Sequence, residues 1–286
     1  MPSTWTVRGR QLSLDRPLVM GIINVTPDSF SDGGRYGSVD EAVARAGQLL
    51  REGADILDIG GESTRPQGAT EVSENVEARR VVPVIERIAA QYPDAVISVD
   101  TVKSGIAETA VAAGARIVND VSAFRLDARM ADVCARTGVG VVLMHSRGGI
   151  SDMASYARAT YGANPLDEVL SELQARVDVA LSAGIERARI ALDPGLGFSK
   201  RSGDSLRVVA RLDRLAAWGF PIVVGASRKR FIGELTGGEP SERLFGSVGA
   251  AVAAYERGAH VLRVHDVAAT RQALDVAAAI RAAGAA

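Results

Sequence analysis

Residues 96–120 read VISVDTVKSGIAETAVAAGARIVND and contain one complete unit of the pattern that decides the fold. The apolar run 96–100 ends in a carboxylate, and the helical stretch 104–113 ends at Gly114, before the next apolar run, 117–120. Strands that are buried on both faces are continuously apolar, and a helix between two such strands makes a parallel crossover. The stretch therefore predicts a strand, a helix and a second, parallel strand.

The same alternation extends in both directions along the chain. Apolar runs lie at 18–24, 56–60, 96–100, 117–120, 139–145, 190–193, 222–226 and 261–265. Helical stretches follow them at 38–52, 73–91, 104–113, 128–137, 167–183, 204–217, 241–257 and 268–283. The strand ends are about 34 residues apart, which suits one βα unit. Eight units favour an α/β fold of the closed (β/α)8 TIM barrel type over a doubly wound open sheet.

The length of 286 residues is compatible with one or two domains, because a TIM barrel alone uses roughly 250 residues. No linker or composition shift divides the chain, so we predict a single domain over 1–286, with 1–16 as an N-terminal extension that forms a short hairpin. A net charge of -1 argues against a nucleic-acid partner, and the lack of a long apolar run argues against a membrane partner. A single cysteine and the absence of a signal-peptide pattern predict a cytoplasmic location.

Polar residues end most of the apolar runs, where a TIM barrel has its active site. They are Asn24, Asp100, Asn119, Asp120, His145, Asp193, Arg263 and His265. Any one of them can cap a helix or shape a turn, and we favour such structural roles for Asp120 and His145. Taken together, the Asp and Asn side chains suit a planar ligand that offers both donors and acceptors.

Cations follow the seventh and eighth runs, in Ser227-Arg228-Lys229-Arg230 and Arg263-Val264-His265. The loops after these two strands often bind phosphate in TIM barrels, and Arg and Lys both bind phosphate oxygens. We therefore expect an anion site here, with a solvated basic turn as the alternative.

Two long loops, 25–37 and 62–70, are rich in Gly, Pro, Ser and Thr. Loops of this kind often close over an active site. We expect them to form a lid in which Asp32 pairs with Arg65 and Phe30 covers the site; two ordinary flexible loops are the alternative.

Seven stretches together resemble the signatures of the dihydropteroate synthase family. The long ones are GIINVTPDSFSDGG at 21–34 and DIGGESTRP at 58–66, and the short ones are SVDT at 98–101, VND at 118–120, LDPGLGF at 192–198, GASRK at 225–229 and RVHDV at 263–267. The resemblance implies a transferase of folate biosynthesis that joins 4-aminobenzoate to (7,8-dihydropterin-6-yl)methyl diphosphate, giving 7,8-dihydropteroate and diphosphate. It also implies a sulfonamide target that forms a homodimer through its last helices.

The resemblance assigns roles to individual residues. The expected pterin-binding residues are Asp100, Asn119, Asp193 and Lys229. The expected diphosphate-binding residues are Asn24, Arg65, Arg263 and His265, with Mg²⁺ as cofactor and Asn24 as its protein ligand. The expected 4-aminobenzoate-binding residues are Phe30, Thr64, Pro66, Phe198, Lys229 and Arg230. The expected catalytic residues are Asp32, Arg65, Asp100, Asp193 and Lys229.

Three features depart from the usual family pattern, all at the 4-aminobenzoate end. Gln67 is an extra residue, Arg230 replaces a small Ser, and Ser146-Arg147 stands where Met-Gln is common. Two other functions stay open: a pterin-binding methyltransferase that serves a corrinoid protein, and a non-catalytic pterin-binding paralogue. Cys134 and His260 are expected to be structural.

Overall fold

The computed structural model describes residues 2–26, 35–62 and 72–284. An antiparallel hairpin of β1 (Thr4–Val7) and β2 (Arg10–Ser13) comes first. The strands that follow are β3 (Leu18–Asn24), β4 (Ile56–Gly60), β5 (Val96–Asp100), β6 (Ile117–Asp120), β7 (Gly140–Met144), β8 (Ile190–Asp193), β9 (Val223–Val224) and β10 (Val261–Val264). They form a parallel sheet in the order β8-β7-β6-β5-β4-β3-β10-β9, and a parallel bridge between Leu192 and Ile222 joins its two ends. The predicted TIM barrel is confirmed.

Helices surround the sheet. They are α1 (Arg35–Arg51), α2 (Glu74–Gln91), α3 (Ser104–Ala113), α4 (Met130–Thr137), α5 (Pro165–Ser182), α6 (Ser202–Ala210), α7 (Asp213–Ala216), α8 (Arg230–Thr236), α9 (Leu244–Tyr255) and α10 (Val267–Ala283). None of the helices within the described ranges has both the length and the apolar character needed to cross a membrane.

Two predicted helices differ from the observed ones. The predicted helix 204–217 is split into α6 and α7, because tight turns at Arg211 and Leu212 interrupt the α-helical bonding. The predicted helix 241–257 starts later, at Leu244, after the short turn Pro240–Glu242. Sequence patterning missed α8, since a helix of 7 residues that buries only Phe231 and Ile232 shows no clear period.

The N-terminal hairpin closes the amino end of the barrel. Trp5 is fully buried, and its indole Nε1 donates a hydrogen bond of 2.9 Å to the Arg189 carbonyl. Trp5 and Val7 belong to one apolar cluster with the strand residues Met20 and Val142. Apolar side chains thus fill the amino end of the barrel. The polar residues that end the parallel strands lie at its carboxyl end.

Cys134 and His260 have the structural roles that the sequence predicts. Cys134 is buried on α4, in the core between sheet and helices, and this burial raises the pKa of its thiol. His260 precedes β10 at the amino end of the barrel, where its Nδ1 accepts the Ile222 N–H at 3.1 Å. Neither residue lies with the strand-end polar groups.

Candidate active site

Some predicted site residues lie outside the described residues. They are Phe30, Asp32, Thr64, Arg65 and Pro66, and the extra residue Gln67 lies there too. Their assigned roles, and the lid they would form, therefore stay predictions.

Arg263 joins the carboxylates at the carboxyl end of the barrel. It reaches from β10, so that its Nε lies 2.6 Å from Asp58 Oδ2 and its Nη2 lies 2.6 Å from Asp100 Oδ2. Asn119, on β6, donates from Nδ2 to the same Asp58 oxygen at 3.2 Å. The fold thus brings Asp100, Asn119 and Arg263 together. The diphosphate-binding role predicted for Arg263 stays a prediction; in the structure its guanidinium binds Asp58 and Asp100.

Asp58 is a site residue that sequence reasoning missed. Its side chain is fully buried, and within the described residues its Oδ1 has no hydrogen-bond partner. A buried polar atom normally has a partner, so Oδ1 is an acceptor that remains available to a further N–H group. The available signal was a carboxylate inside the otherwise apolar run 56–60.

Two carboxyl groups of the site have pKa values near neutrality. Burial raises the pKa of Asp100 to about 7, although the positive charge of Arg263 opposes this rise. Burial likewise raises the pKa of Asp193 to about 6, opposed by the Gly195 N–H, which donates to its Oδ1 at 2.7 Å, and by Lys229 and Arg263. Such carboxyl groups can serve as acceptors for N–H groups near pH 7 and still respond to a bound positive charge.

Lys229 lies near the carboxylates of Asp193 and Asp100 and over the ring of Phe198. Its Nζ is 4.0 Å from the centroid of the Phe198 ring, a cation–π distance. Burial lowers the pKa of Lys229 to about 8; Arg263 adds to this effect, while Asp193 and Asp100 oppose it. The fold therefore brings Lys229 close to Asp193 and Phe198.

The loops after β9 and β10 carry the residues of the predicted anion site. Ser227 Oγ and His265 Nδ1 are 3.0 Å apart. Arg228, however, is paired with Asp266 through contacts of 2.7 and 3.2 Å, so its charge fastens one loop to the other. Ser227 and His265 thus lie together in these loops, whereas the charge of Arg228 is paired with Asp266.

A metal ion at this end would have few protein ligands. Across residues 2–26, 35–62 and 72–284, no three His, Cys, Asp or Glu side chains are grouped as a metal site. Asn24 ends β3, which pairs with β10, and it offers one amide oxygen. This donor set fits Mg²⁺, because Mg²⁺ is commonly held by one or two protein oxygens, phosphate oxygens and water.

Two of the departures from the family pattern fasten the long loop after β7. Arg230 is exposed, and its guanidinium carbon lies 4.5 Å from the ring centroid of Tyr156 in that loop. Arg147 pairs with Glu168 and Glu172 of α5. Arg230, which follows Lys229 in the sequence, thus has its planar cation against an aromatic ring.

Asp120 and His145 have the structural roles predicted for them. Asp120 is fully buried, and its carboxylate accepts the N–H groups of Ser122 at 2.7 Å and Phe124 at 2.8 Å. These bonds hold a turn in which Phe124 has a φ of 66°. His145 is 3% exposed and hydrogen-bonded on both ring nitrogens.

A closed (β/α)8 barrel whose strand ends carry carboxylates, an amide and a lysine suits the class of enzymes that bind a flat, nitrogen-rich ring. Residues 20–265 match the sequence model of a family described as pterin binding enzyme. The dihydropteroate synthase of Bacillus subtilis is 45% identical over 253 residues, which cover 88% of this chain and 85% of that protein. The Escherichia coli K12 dihydropteroate synthase is 42% identical over 273 residues, or 94% and 93% of the two chains.

Solved structures agree with the sequence relatives. The Xanthomonas albilineans dihydropteroate synthase with 4-aminobenzoic acid has a TM-score of 0.91 and 49% identity, with 99% of each chain covered. The chain belongs to the pterin-binding enzymes and, among them, to the dihydropteroate synthase family.

Proposed function

We propose that the chain joins (7,8-dihydropterin-6-yl)methyl diphosphate to 4-aminobenzoate, as a transferase of folate biosynthesis. The amine nitrogen forms a bond to the exocyclic carbon, the bond from that carbon to the diphosphate oxygen breaks, and the amine loses a proton. The products are 7,8-dihydropteroate and diphosphate. The observation that carries this proposal is the cluster of Asp100, Asn119, Asp193 and Lys229 at one rim of the barrel in a member of this family. The Xanthomonas albilineans enzyme solved in complex with 7,8-dihydropteroate, 47% identical, supports it.

The cluster suits the amino-pyrimidinone edge of a pterin. That edge presents N–H donors next to a carbonyl and ring-nitrogen acceptors. Asp193 and Asp100 can accept the N–H groups, Asn119 can both donate and accept, and Lys229 can donate to the carbonyl side. The Phe198 ring, beneath the Lys229 ammonium, would pack against the flat ligand.

The reaction needs charge stabilisation more than a strong base. As the diphosphate leaves, positive charge develops on the exocyclic carbon and spreads into the dihydropterin ring, where Asp100 and Asp193 stabilise it. At the other end, Asn24, His265, Arg263 and Arg65 are proposed to hold the diphosphate. When bound with Asn24 and the phosphate oxygens, Mg²⁺ would supply further stabilisation of the leaving group. A neutral arylamine is nucleophilic without deprotonation, so no general base is required.

The second substrate would enter over Phe198, Lys229 and Arg230. We propose that Phe30, Thr64 and Pro66 complete its pocket. Asp32 and Arg65 would close the lid and exclude water, which would otherwise capture the reactive carbon. A Yersinia pestis dihydropteroate synthase solved with a sulfonamide drug is 40% identical to this chain, and sulfonamides are proposed to compete at the same pocket here.

We further propose that two copies associate through the last helices. On α10, Val276 is 57% exposed and Ile280 is 69% exposed, and apolar exposure of this kind marks a candidate contact surface. We also propose that the chain acts on small molecules in the cytoplasm and that it has no nucleic-acid partner. Sedimentation velocity at low micromolar concentration should show a dimer that Ile280→Asp dissociates; a wild-type monomer would contradict this assignment.

The catalytic proposal is tested by incubating the protein with dihydropterin diphosphate, 4-aminobenzoate and Mg²⁺. We expect dihydropteroate and diphosphate to appear in equal amounts, with no dihydropteroate when 4-aminobenzoate is omitted. Pterin binding without product would instead support the non-catalytic paralogue. The relatives described above are dihydropteroate synthases that match most of the chain, which favours this reaction over the corrinoid-dependent methyltransferase.

A further inference from the structure

Lys200 is a fully buried lysine in the loop after β8, and it is one of only three lysines in the sequence. Its Nζ lies 2.7 Å from His145 Nδ1 and 3.1 Å from each of the carbonyl oxygens of Gly195 and Phe198. An ammonium has three N–H donors, and here each donor has an acceptor. This matters because a buried charge is tolerated only when its hydrogen bonds are made.

The residues that hold Lys200 also hold Asp193. The Gly195 peptide accepts from Lys200 at its carbonyl and donates from its N–H to Asp193 Oδ1 at 2.7 Å. The His145 backbone N–H donates to the Asp193 carbonyl at 2.9 Å. Gly195 has a φ of 68°, and a Cβ at this position would lie 1.9 Å from the His145 carbonyl oxygen. Lys200, Gly195, His145 and Asp193 are therefore packed as one unit.

His145 links this unit to α5. Because Nδ1 accepts from the Lys200 ammonium, the imidazole is neutral and its proton is on Nε2. Nε2 then donates to Glu172 Oε2 at 3.0 Å. Arg147 binds the same carboxylate through its Nε, at 3.0 and 3.2 Å from the two oxygens. A series of contacts therefore extends from Glu172 on α5, through His145 and Lys200, to the Gly195 peptide that binds Asp193.

We propose that Lys200 is a positioning residue for Asp193: it fastens the loop that orients this carboxylate and, when protonated, places a positive charge near it. The inference rests on the proposed function, since it concerns how Asp193 binds a pterin. Lys200 is fully buried, and its ammonium is bonded to His145 and to the Gly195 and Phe198 carbonyl oxygens, so we infer that it acts through Asp193. With the ammonium in place, Asp193 remains a carboxylate at lower pH than it would alone.

Other charged groups also act on Asp193 and Lys200 and contribute to the pKa values of both. The positive groups near Asp193 are Lys229, Arg263 and Lys200. The groups that act on Lys200 are Asp193 and Glu172, which stabilise its charge, and Arg147 and Lys229, which oppose it. Burial lowers the pKa of Lys200 to about 7, so it is charged at the more acidic pH at which Asp193 titrates. Near pH 6 the positive charge of Lys200 therefore stabilises the carboxylate form of Asp193 through a coulombic interaction.

The test measures how pterin affinity depends on pH, with 6-hydroxymethylpterin as the probe because it carries no phosphate group that titrates. Binding is followed by fluorescence from pH 5 to 8 for the wild type, Lys200→Met and Glu172→Gln. Lys200→Met removes the charge with little change in volume, whereas Glu172→Gln keeps an acceptor for His145 and removes only the distant charge. Arg125→Met is the matched control, because Arg125 donates to the Gly148 carbonyl of the adjacent loop and is not among the cations that face Asp193.

We expect the midpoint of the acid limb to rise by at least about half a pH unit in Lys200→Met, which is about a twofold loss of affinity at about pH 6 and about a threefold loss at about pH 5. Glu172→Gln should shift it less in the same direction, and Arg125→Met should not shift it. A lower affinity in Lys200→Met with an unchanged midpoint would overturn the proposal, because a purely structural role weakens binding without moving a titration. Glu172 is 42% exposed, so if Lys200→Met does not fold, the midpoint of Glu172→Gln decides. A wild type that does not bind the probe would count against the proposed function instead.

The small number of lysines permits a direct measurement on the folded protein. Labelling with [6-¹³C]lysine gives signals from only Lys103, Lys200 and Lys229, which single Lys→Met variants assign. The Lys200 signal should titrate several pH units below the usual value of about 10.4, and lower still in Glu172→Gln. Titration of Lys200 at the usual value would overturn the proposed unit.

Discussion

Replacing Arg263 with methionine tests whether the barrel interior is organised around this guanidinium. Arg263→Met removes both 2.6 Å contacts, one to Asp58 and one to Asp100. The Asp58 side chain is 0% exposed and would be left without its cation, whereas the Asp100 side chain is 17% exposed and keeps some contact with water. Breaking a buried ion pair by removing one partner costs about 3–5 kcal/mol, and most of that cost should come from Asp58.

Urea unfolding at pH 7, followed by circular dichroism, measures this loss. Arg228→Met is the matched control, since it breaks the Asp266 pair, whose side chains are 33% and 25% exposed, and should cost about 1 kcal/mol or less. The difference in the free energy of unfolding between the wild type and Arg263→Met should also become smaller as the pH falls from 7 to 5. Without Arg263 the pKa of Asp100 lies further above its unfolded value, so proton uptake by the native state restores stability as the pH falls. A loss no larger than that of Arg228→Met, or one that widens toward pH 5, would refute this reasoning.

Two further predictions concern the ligand and the barrel. The affinity of the wild type for 6-hydroxymethylpterin should decrease as the pH falls through about 6, because burial raises the pKa of Asp193 to about 6 and its protonation removes an acceptor; calorimetric titration that finds constant affinity from pH 5 to 8 would contradict this. Trp5→Ala should lower the free energy of unfolding by about 3–5 kcal/mol, since the fully buried indole seals the amino end of the barrel, while the KM values of the substrates stay unchanged. A loss below about 1 kcal/mol in urea unfolding would show that the hairpin is dispensable.

The barrel was predictable because its signal is local and repeated. Most apolar runs, such as Val96–Asp100, end in a polar residue, and parallel strands of one barrel place those ends on the same rim. The run 222–226 was predicted too long, because β9 pairs with β10 only at Val223 and Val224 before the chain turns away. The short helix α8 has too few buried positions to produce a pattern.

The site was only partly predictable because several roles depend on contacts between distant residues. Lys200 resembles an ordinary polar loop residue in the sequence, and its role appears only when His145, 55 residues away, lies at 2.7 Å. Arg228 is of a residue type that commonly binds phosphate. In the structure it instead forms an ion pair with Asp266, 38 residues later in the chain. Asp58 was overlooked because it lies inside a strand and not at its end. Asp100, Asn119 and Asp193 could be predicted without knowledge of such contacts, because each one lies at the end of an apolar run.

Turnover by Asp193→Ala tests the central claim most directly, which is that the strand-end carboxylates bind the pterin that reacts. Asp193 is expected to accept two charge-assisted hydrogen bonds from the pterin, each worth about 1.5–3 kcal/mol, so kcat/KM for dihydropterin diphosphate should fall about 10²–10⁴-fold. Asp178→Ala, which removes an exposed carboxylate from α5, is the control and should keep the wild-type value. Dihydropteroate formation by Asp193→Ala at a near wild-type rate, in a protein that unfolds normally, would show that the pterin binds elsewhere.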